Sequence, residues 1–464
     1  MLNTIVQTKM GPVKGNVREG YNEFLGIRFA TAGRFEYAVP VESFDGEYDA
    51  TAFGPACPQS RGFYPHLEHP TRRFYLHEFR EGQVFTFDED CLRLNIYAPS
   101  EPKNCPVILF FYGGGFNAGS TDESTFDGAI YARQGIILVT AAYRVGILGY
   151  LTNEEIYKKY GRDGNFGLDD QFTAINWVKA HIADFGGDPD NITLAGQSAG
   201  AMSVQYLCLN EKCRGLFGRA IMFSGAGLFP KFSLPRPAEE RRPYWTGFME
   251  AAGIGSFEEL KTMDFREIFA RLEPYLASRK DNVFNTMPVI DGYHLSAPID
   301  ELIKKPLPLD YMIGYSNNDM YAIIMSHIGH RFAKDNNGFI YYFDIDAPGD
   351  KRNAAYHACD LRYIFGTLDR GTRKYGPYDY EVSALLSRYI SAFAATGDPN
   401  SDDWPGASLP GTSPEYRLPA GPLPVWERGG KKALRFAPDM IGMAHPNRLK
   451  LLWNTLTKGD PKMD

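Results

Sequence analysis

An α/β fold, with a large and mostly parallel central sheet flanked by helices, is predicted by three stretches of this 464-residue sequence. Apolar runs at Pro106–Tyr112 and Gly135–Ala142 are unbroken by polar residues, as expected of strands covered on both faces. Between the second run and a further strand at Asn191–Ala195 lies Asp169–Ala183, whose Ile175, Val178 and Ile182 share one helical face. Strand, helix, strand in that order needs a crossover and therefore parallel pairing.

The remaining elements follow in chain order. Residues 1–60 read as short strands punctuated at Gly11–Gly15 and Phe24–Phe29, an antiparallel entry to the sheet. Residues 61–88 are aromatic and irregular, a surface excursion bearing His66, His69 and His77, with no nearby cysteine and carboxylate set to complete a metal site. Leu92–Tyr97 alternates as a strand, and the stop of the helix at 169–183 is Phe185-Gly-Gly-Asp-Pro189. Arg219–Ser224 supplies another strand. Residues 230–280 are helical, with start signals at Ser256-Phe-Glu-Glu259 and Asp264-Phe-Arg-Glu267, and form a helical cap inserted at about 228–300. Strands resume at Tyr311–Gly314 and Gly338–Phe343, and a helix at Tyr380–Ala395 ends in Thr396-Gly-Asp-Pro-Asn400. With no linker-like break, residues 1–464 read as a single domain.

Composition narrows the function. A net charge of −7 without a run of lysine or arginine argues against nucleic acid as a partner, and no apolar run approaches membrane-spanning length. The N-terminus lacks a secretory pattern, which points to the cytoplasm. Six cysteines without a Cys-x-x-Cys pair imply neither a disulfide scaffold nor a zinc site.

The chemistry centres on Gly196-Gln197-Ser198-Ala199-Gly200, between the strand at 191–195 and a helix start. A serine at the tip of so sharp a turn needs small neighbours, and the turn projects it from the sheet. The Ala199 amide, in the first turn of the helix, can receive negative charge from an attacked carbonyl. Gly113-Gly114-Gly115-Phe116 follows a buried strand, where three glycines are entropically wasteful unless the backbone must approach something. Gly114 and Gly115 are therefore candidates to complete an oxyanion hole with Ala199.

A serine nucleophile needs a histidine base and a carboxylate to orient it, in the order serine, acid, histidine for this kind of fold. His294, His327, His330, His357 and His445 lie downstream. His327 and His330 fall in a helical pattern and His445 in a proline-bounded tail, whereas His357 follows a strand and a turn at Ala347–Asp350. His357 is the candidate base and Asp319 the acid, with Asp344 and Asp346 as poorer choices. Tyr112, Phe116, Phe229, Trp245 and Tyr321 are candidate pocket walls, core packing being the equal alternative for each.

These motifs together resemble the type-B carboxylesterase and cholinesterase family of α/β-hydrolases, of the bacterial para-nitrobenzyl-esterase kind, over nearly the whole chain. The resemblance rests on Glu89–Tyr97, Tyr112–Phe116, Phe166–Gln171, Phe185–Pro189, Gly196–Gly200, His357–Gly366 and Phe393–Asn400. It implies an α/β-hydrolase fold and a serine carboxylesterase that hydrolyses small-molecule esters through an acyl-enzyme on Ser198, with no cofactor, as a monomer or homodimer. The triad it implies is Ser198, Asp319 and His357, with Gly114, Gly115 and Ala199 as oxyanion donors; at 319 the family's usual residue is Glu, one methylene longer. By the same resemblance Cys57 and Cys91 align with a family disulfide, though cytoplasmic thiols should be reduced. Arg34 with Glu89 and Arg144 with Asp170 resemble structural ion pairs. Only 38 residues separate the acid from the base, where many members insert helices, which implies a more open site that accepts bulky esters. Rivals are an amidase, carbamate hydrolase or thioesterase with the same triad, and a non-catalytic recognition module.

Overall fold

The structure is a computed structural model that describes residues 3–225, 235–279, 286–319, 322–349, 354–404, 406, 416, 418–419, 421–457 and 461–463. Among the described residues thirteen strands form one sheet. From one edge the order is Asn3–Thr8, Gly11–Arg18, Tyr21–Arg28, Arg93–Pro99, Ile137–Ala141, Cys105–Phe111, Gly187–Gln197, Arg219–Phe223, Asp310–Ser316, Phe339–Phe343, Ala433–Ala437 and Met440–Ala444, with the short Tyr48–Asp49 beside Gly11–Arg18. Pairing is parallel from Ile137–Ala141 through Ala433–Ala437 and antiparallel along the path at both margins. The two strands read as apolar runs are buried at every position. Burial on both faces is what the parallel centre of such a sheet imposes.

Helices form where their end signals act together. The helix read as Asp169–Ala183 spans Phe166–His181; Asn165 precedes it in the left-handed region, and its side-chain amide exchanges two 2.8 Å hydrogen bonds with the backbone of Val289. The one read as Tyr380–Ala395 runs Pro377–Thr396, begun by proline in its first turn and ended at Gly397 with φ +82°. Within the expected cap, helices occupy Ala238–Ala251, Phe257–Thr262 and Phe265–Ser278, and the Ser256 hydroxyl accepts from the Glu259 amide as its start signal predicts.

One expectation is corrected, and the end of the chain adds elements that the sequence reading left unassigned. Residues 61–88 are not irregular throughout: Pro70–Phe79 is a helix that buries Phe74 and Glu78. His66 pairs with Glu273 and Glu68, and His77 with Glu81. The tail holding His445 is also structured, with two strands and the helix Arg448–Thr457 completing that margin of the sheet.

Candidate active site

The strand Gly187–Gln197 delivers Ser198 to the C-terminal edge of the sheet, between the ends of Cys105–Phe111 and Arg219–Phe223. The ladder continues into the turn, since the Ser198 amide donates to the Phe223 carbonyl at 2.8 Å. Ser198 itself has φ +54° and ψ −121°, a conformation costly for any residue with a side chain. The reversal is tight enough that a Cβ on Gly196 would lie 2.4 Å from the Gly200 backbone, and one on Gly200 would lie 2.1 Å from the Phe111 carbonyl oxygen. The helix Ala199–Cys208 starts immediately, and Ser198 remains partly exposed.

Two further strand ends supply the partners. Asp319 follows the strand Asp310–Ser316, and His357 lies in the segment after Phe339–Phe343. The segments meet through the Asn318 amide, which donates to the Ala355 carbonyl at 2.8 Å, and a parallel bridge between Asn318 and Tyr356. Side by side, they place His357 Nδ1 2.6 Å from Asp319 Oδ2 and His357 Nε2 2.9 Å from Ser198 Oγ. The shorter aspartate thus reaches the imidazole. Asp319 is buried, and the His357 side chain keeps 16% of its exposure. Such a chain of contacts can pass a proton from hydroxyl to imidazole while a carboxylate fixes the ring's tautomer.

The glycine loop after Phe111 curls beneath this point. Gly114 and Gly115 have φ +116° and +64°, and neither they nor Ala199 donate their amides to an acceptor among the described residues. Three N–H groups so left are what an oxyanion would need. The loop is braced at both ends. Tyr112 and Tyr143 stack at 4.5 Å, and each hydroxyl donates to the other's carbonyl at 2.8 Å, while the Gln59 side chain accepts from the Gly119 amide and donates to its carbonyl, each at 3.0 Å.

The pocket walls need correction. Tyr112 is core by that reciprocal pairing. Phe116 is 1% exposed, edge-on to Tyr150 in a buried cluster that includes Ala199 and Met287, so it supports the loop from behind. Trp245 is fully buried against Tyr244 and Phe248 inside the helical segment 238–278. Phe229 and Tyr321 lie outside the described residues. A cavity of about 420 Å³ lined by Tyr37, Tyr160, Arg162, Asp291 and Tyr293 involves none of the triad.

The other candidates have architectural partners. His294 pairs with Asp169 at 3.0 Å, and His330 Nδ1 is 2.6 Å from the Gly430 carbonyl. Asp344 receives Arg435 and Lys450. Arg144 grips buried Asp170 through Nε and Nη2 at 2.9 and 2.7 Å, and Arg34 joins Glu89 to the carbonyls of Leu260 and Lys261. Cys57 and Cys91 are buried free thiols, and the Cys91 thiol is pushed well up by its contact with Cys57 and by burial. Two polar residues escaped the sequence reading. Gln197 Nε2 is 3.3 Å from His357 Nε2, a contact open to any serine-elbow neighbour, and Asp360 is wholly buried three residues past the histidine.

Comparison with known proteins places these motifs in context. The carboxylesterase family model matches residues 2–337 and 322–418. The para-nitrobenzyl esterase of Bacillus subtilis (strain 168) is 29% identical over 480 residues, covering 87% of this chain and 93% of the relative. Carboxylesterase 4A of Bos taurus is 38% identical over 340 residues, covering 68% of this chain and 59% of the relative. Among solved structures, a thermophilic PNB esterase aligns with a TM-score of 0.78 at 24% identity, over 97% of this chain and 99% of that one, a likeness of fold.

Proposed function

We propose, from the premise that this chain belongs to the carboxylesterase family, that Ser198, His357 and Asp319 carry its ester hydrolysis. The protein is a serine carboxylesterase of α/β-hydrolase fold. The observation that carries the residue assignment is the unbroken path from Ser198 Oγ to His357 Nε2 at 2.9 Å and from His357 Nδ1 to Asp319 at 2.6 Å.

In this reading His357 accepts the Ser198 proton as Oγ attacks the ester carbonyl. The amides of Gly114, Gly115 and Ala199 take the negative charge of the tetrahedral oxygen, each such donor contributing about 3 to 4 kcal/mol to the lowered barrier. His357 returns the proton to the departing alcohol, leaving an acyl-enzyme; a water then repeats the sequence and releases the acid. Every step uses side chains and amides of this chain, with no cofactor. The helices at 238–278 act as a cap, tied to the sheet side through Arg34 and through the ion pair of Arg242 with Asp163. Substrates are small-molecule esters met in the cytoplasm, where the buried free thiols fit a reducing environment. The enzyme acts as a monomer or homodimer.

The test is hydrolysis of a p-nitrophenyl acyl series from acetate to octanoate by the wild type and by Ser198→Ala. Turnover in the variant falls by about 10³-fold or more if Ser198 is the nucleophile. Equal turnover by the two removes the assignment, and matched ester and amide substrates place the activity within the hydrolases.

A further inference from the structure

The segment that holds His357 is bent where it can least afford to be. Ala354 and Ala358 flank the histidine at φ +49° and +72°, left-handed backbone that costs an L-residue energy unless its surroundings over-determine it. The surroundings come from the helix Pro70–Phe79. Tyr356, immediately before His357, is fully buried with Phe74 edge-on at 4.8 Å, and its hydroxyl donates to Glu78 Oε2 at 2.9 Å. Glu78 is buried and gripped by Arg373 at 2.7 and 2.8 Å, and Arg373 also donates to the Pro348 carbonyl at 2.8 Å, near the start of the same segment. Arg362, just beyond it, donates to the Glu78 backbone carbonyl at 2.7 Å, and the Tyr75 hydroxyl to the His357 carbonyl at 3.4 Å.

We propose that Glu78, with Tyr356 and Arg373, positions the base: the buried carboxylate is an anchor that orients His357 against Ser198 and Asp319. Tyr356 sits in the bridge to Asn318, and His357 opens the turn that follows it, closed by the Cys359 amide donating to the Tyr356 carbonyl at 3.1 Å. The tyrosine points to Glu78 and the imidazole to Ser198, and a hydroxyl held on one side fixes the rotation of the other. Residues that carry a buried charge for this purpose need no contact with substrate. Their effect appears in the chemical step rather than in binding, because a small displacement of a base costs rate steeply.

This inference rests on His357 being the base, and the experiment separates the two. His357→Gln, Tyr356→Phe and Glu78→Gln are compared with the wild type in kcat, KM, the pH profile of kcat/KM and thermal unfolding. Tyr356→Phe keeps the ring and its packing and removes only the hydroxyl. It is expected to lower kcat about tenfold with KM within about twofold. A base less firmly held to Asp319 is also a weaker one, so the acid limb of kcat/KM moves to lower pH. Glu78→Gln, which keeps an acceptor for the hydroxyl but loses the charge, lies in the same direction. Unchanged kcat and pH profile in Tyr356→Phe, with or without a lower unfolding temperature, overturn the proposal, and that variant decides even where Glu78→Gln does not fold. Full activity in His357→Gln would instead overturn the assignment of the base.

Discussion

Asp360, three residues past the base, carries a burial cost of its own. It is wholly buried, accepts one hydrogen bond from the Tyr341 hydroxyl at 2.7 Å, and its second oxygen has no hydrogen-bond partner among the described residues. Burial pushes its carboxyl up from the ordinary 3.8 to about 6. A carboxyl with a raised folded pKa holds its proton more tightly in the native state, so its contribution to stability is complete below 3.8 and is lost as pH rises through 6. Between pH 4.5 and 7.5 this group removes about 2 kcal/mol from the wild type. Denaturant unfolding at the two pH values should show Asp360→Asn losing less stability over that interval than the wild type, and an equal loss in both proteins would refute the assignment. Residue type alone does not mark such a site. His294 also meets a buried aspartate, Asp169 at 3.0 Å, but through Nε2, the nitrogen that Arg162 also approaches at 3.3 Å, whereas His357 meets Asp319 through Nδ1 and leaves Nε2 for Ser198. Chain order and the strand preceding His357 pointed to it; the burial of Asp360 is a tertiary fact with no local signature.

At the scale of elements, the strand–turn–helix at Ser198 is a steric arrangement, and its glycines and those of the loop after Phe111 should respond differently to alanine. Gly200 sits against the Phe111 carbonyl, so Gly200→Ala must push the end of the strand Cys105–Phe111 and the helix Ala199–Cys208 apart. That overpacking costs about 1–3 kcal/mol or more and moves the nucleophile, so the expectation is lower thermal stability together with lost hydrolysis. Gly115, by contrast, has open space where a Cβ would go. Gly115→Ala pays only about 1–2 kcal/mol for its left-handed φ and keeps its amide, so activity within about tenfold of the wild type is expected. Measuring both by p-nitrophenyl acetate turnover and thermal melting separates crowding from conformational strain; equal losses would refute the steric reading. The elements legible in the sequence were those with strong local signals: the two fully buried strands, the glycine turns, and the helix begun by Pro377 and ended at Gly397. The helix at 70–79 was missed because it buries only Phe74 and Glu78, an apolar face too thin to show a 3.6-residue period.

For the whole molecule, local pattern cannot give strand order. Ile137–Ala141 inserts between Arg93–Pro99 and Cys105–Phe111, and the last two strands extend the margin beside Phe339–Phe343, because pairing partners are chosen across long stretches of chain. What the sequence does carry is the distance between functional strand ends, and the 38-residue step from Asp319 to His357 holds, among the described residues, one helix, Ala322–Asp335, and one strand, Phe339–Phe343. That helix packs on the sheet, with Ala322, Met325, Phe332 and Ala333 buried, rather than building a wall above the edge where Ser198 stands. With the nucleophile partly exposed and the His357 ring open to solvent on one side, branching next to the ester carbonyl should meet little resistance. We therefore expect kcat/KM for p-nitrophenyl pivalate to fall no more than about tenfold below that for acetate, a barrier difference of about 1.4 kcal/mol. A deep, closed gorge would instead penalise the three methyl groups through contacts that cannot relax, and a drop of a hundredfold or more would show that the short acid-to-base segment leaves the site as enclosed as longer ones do.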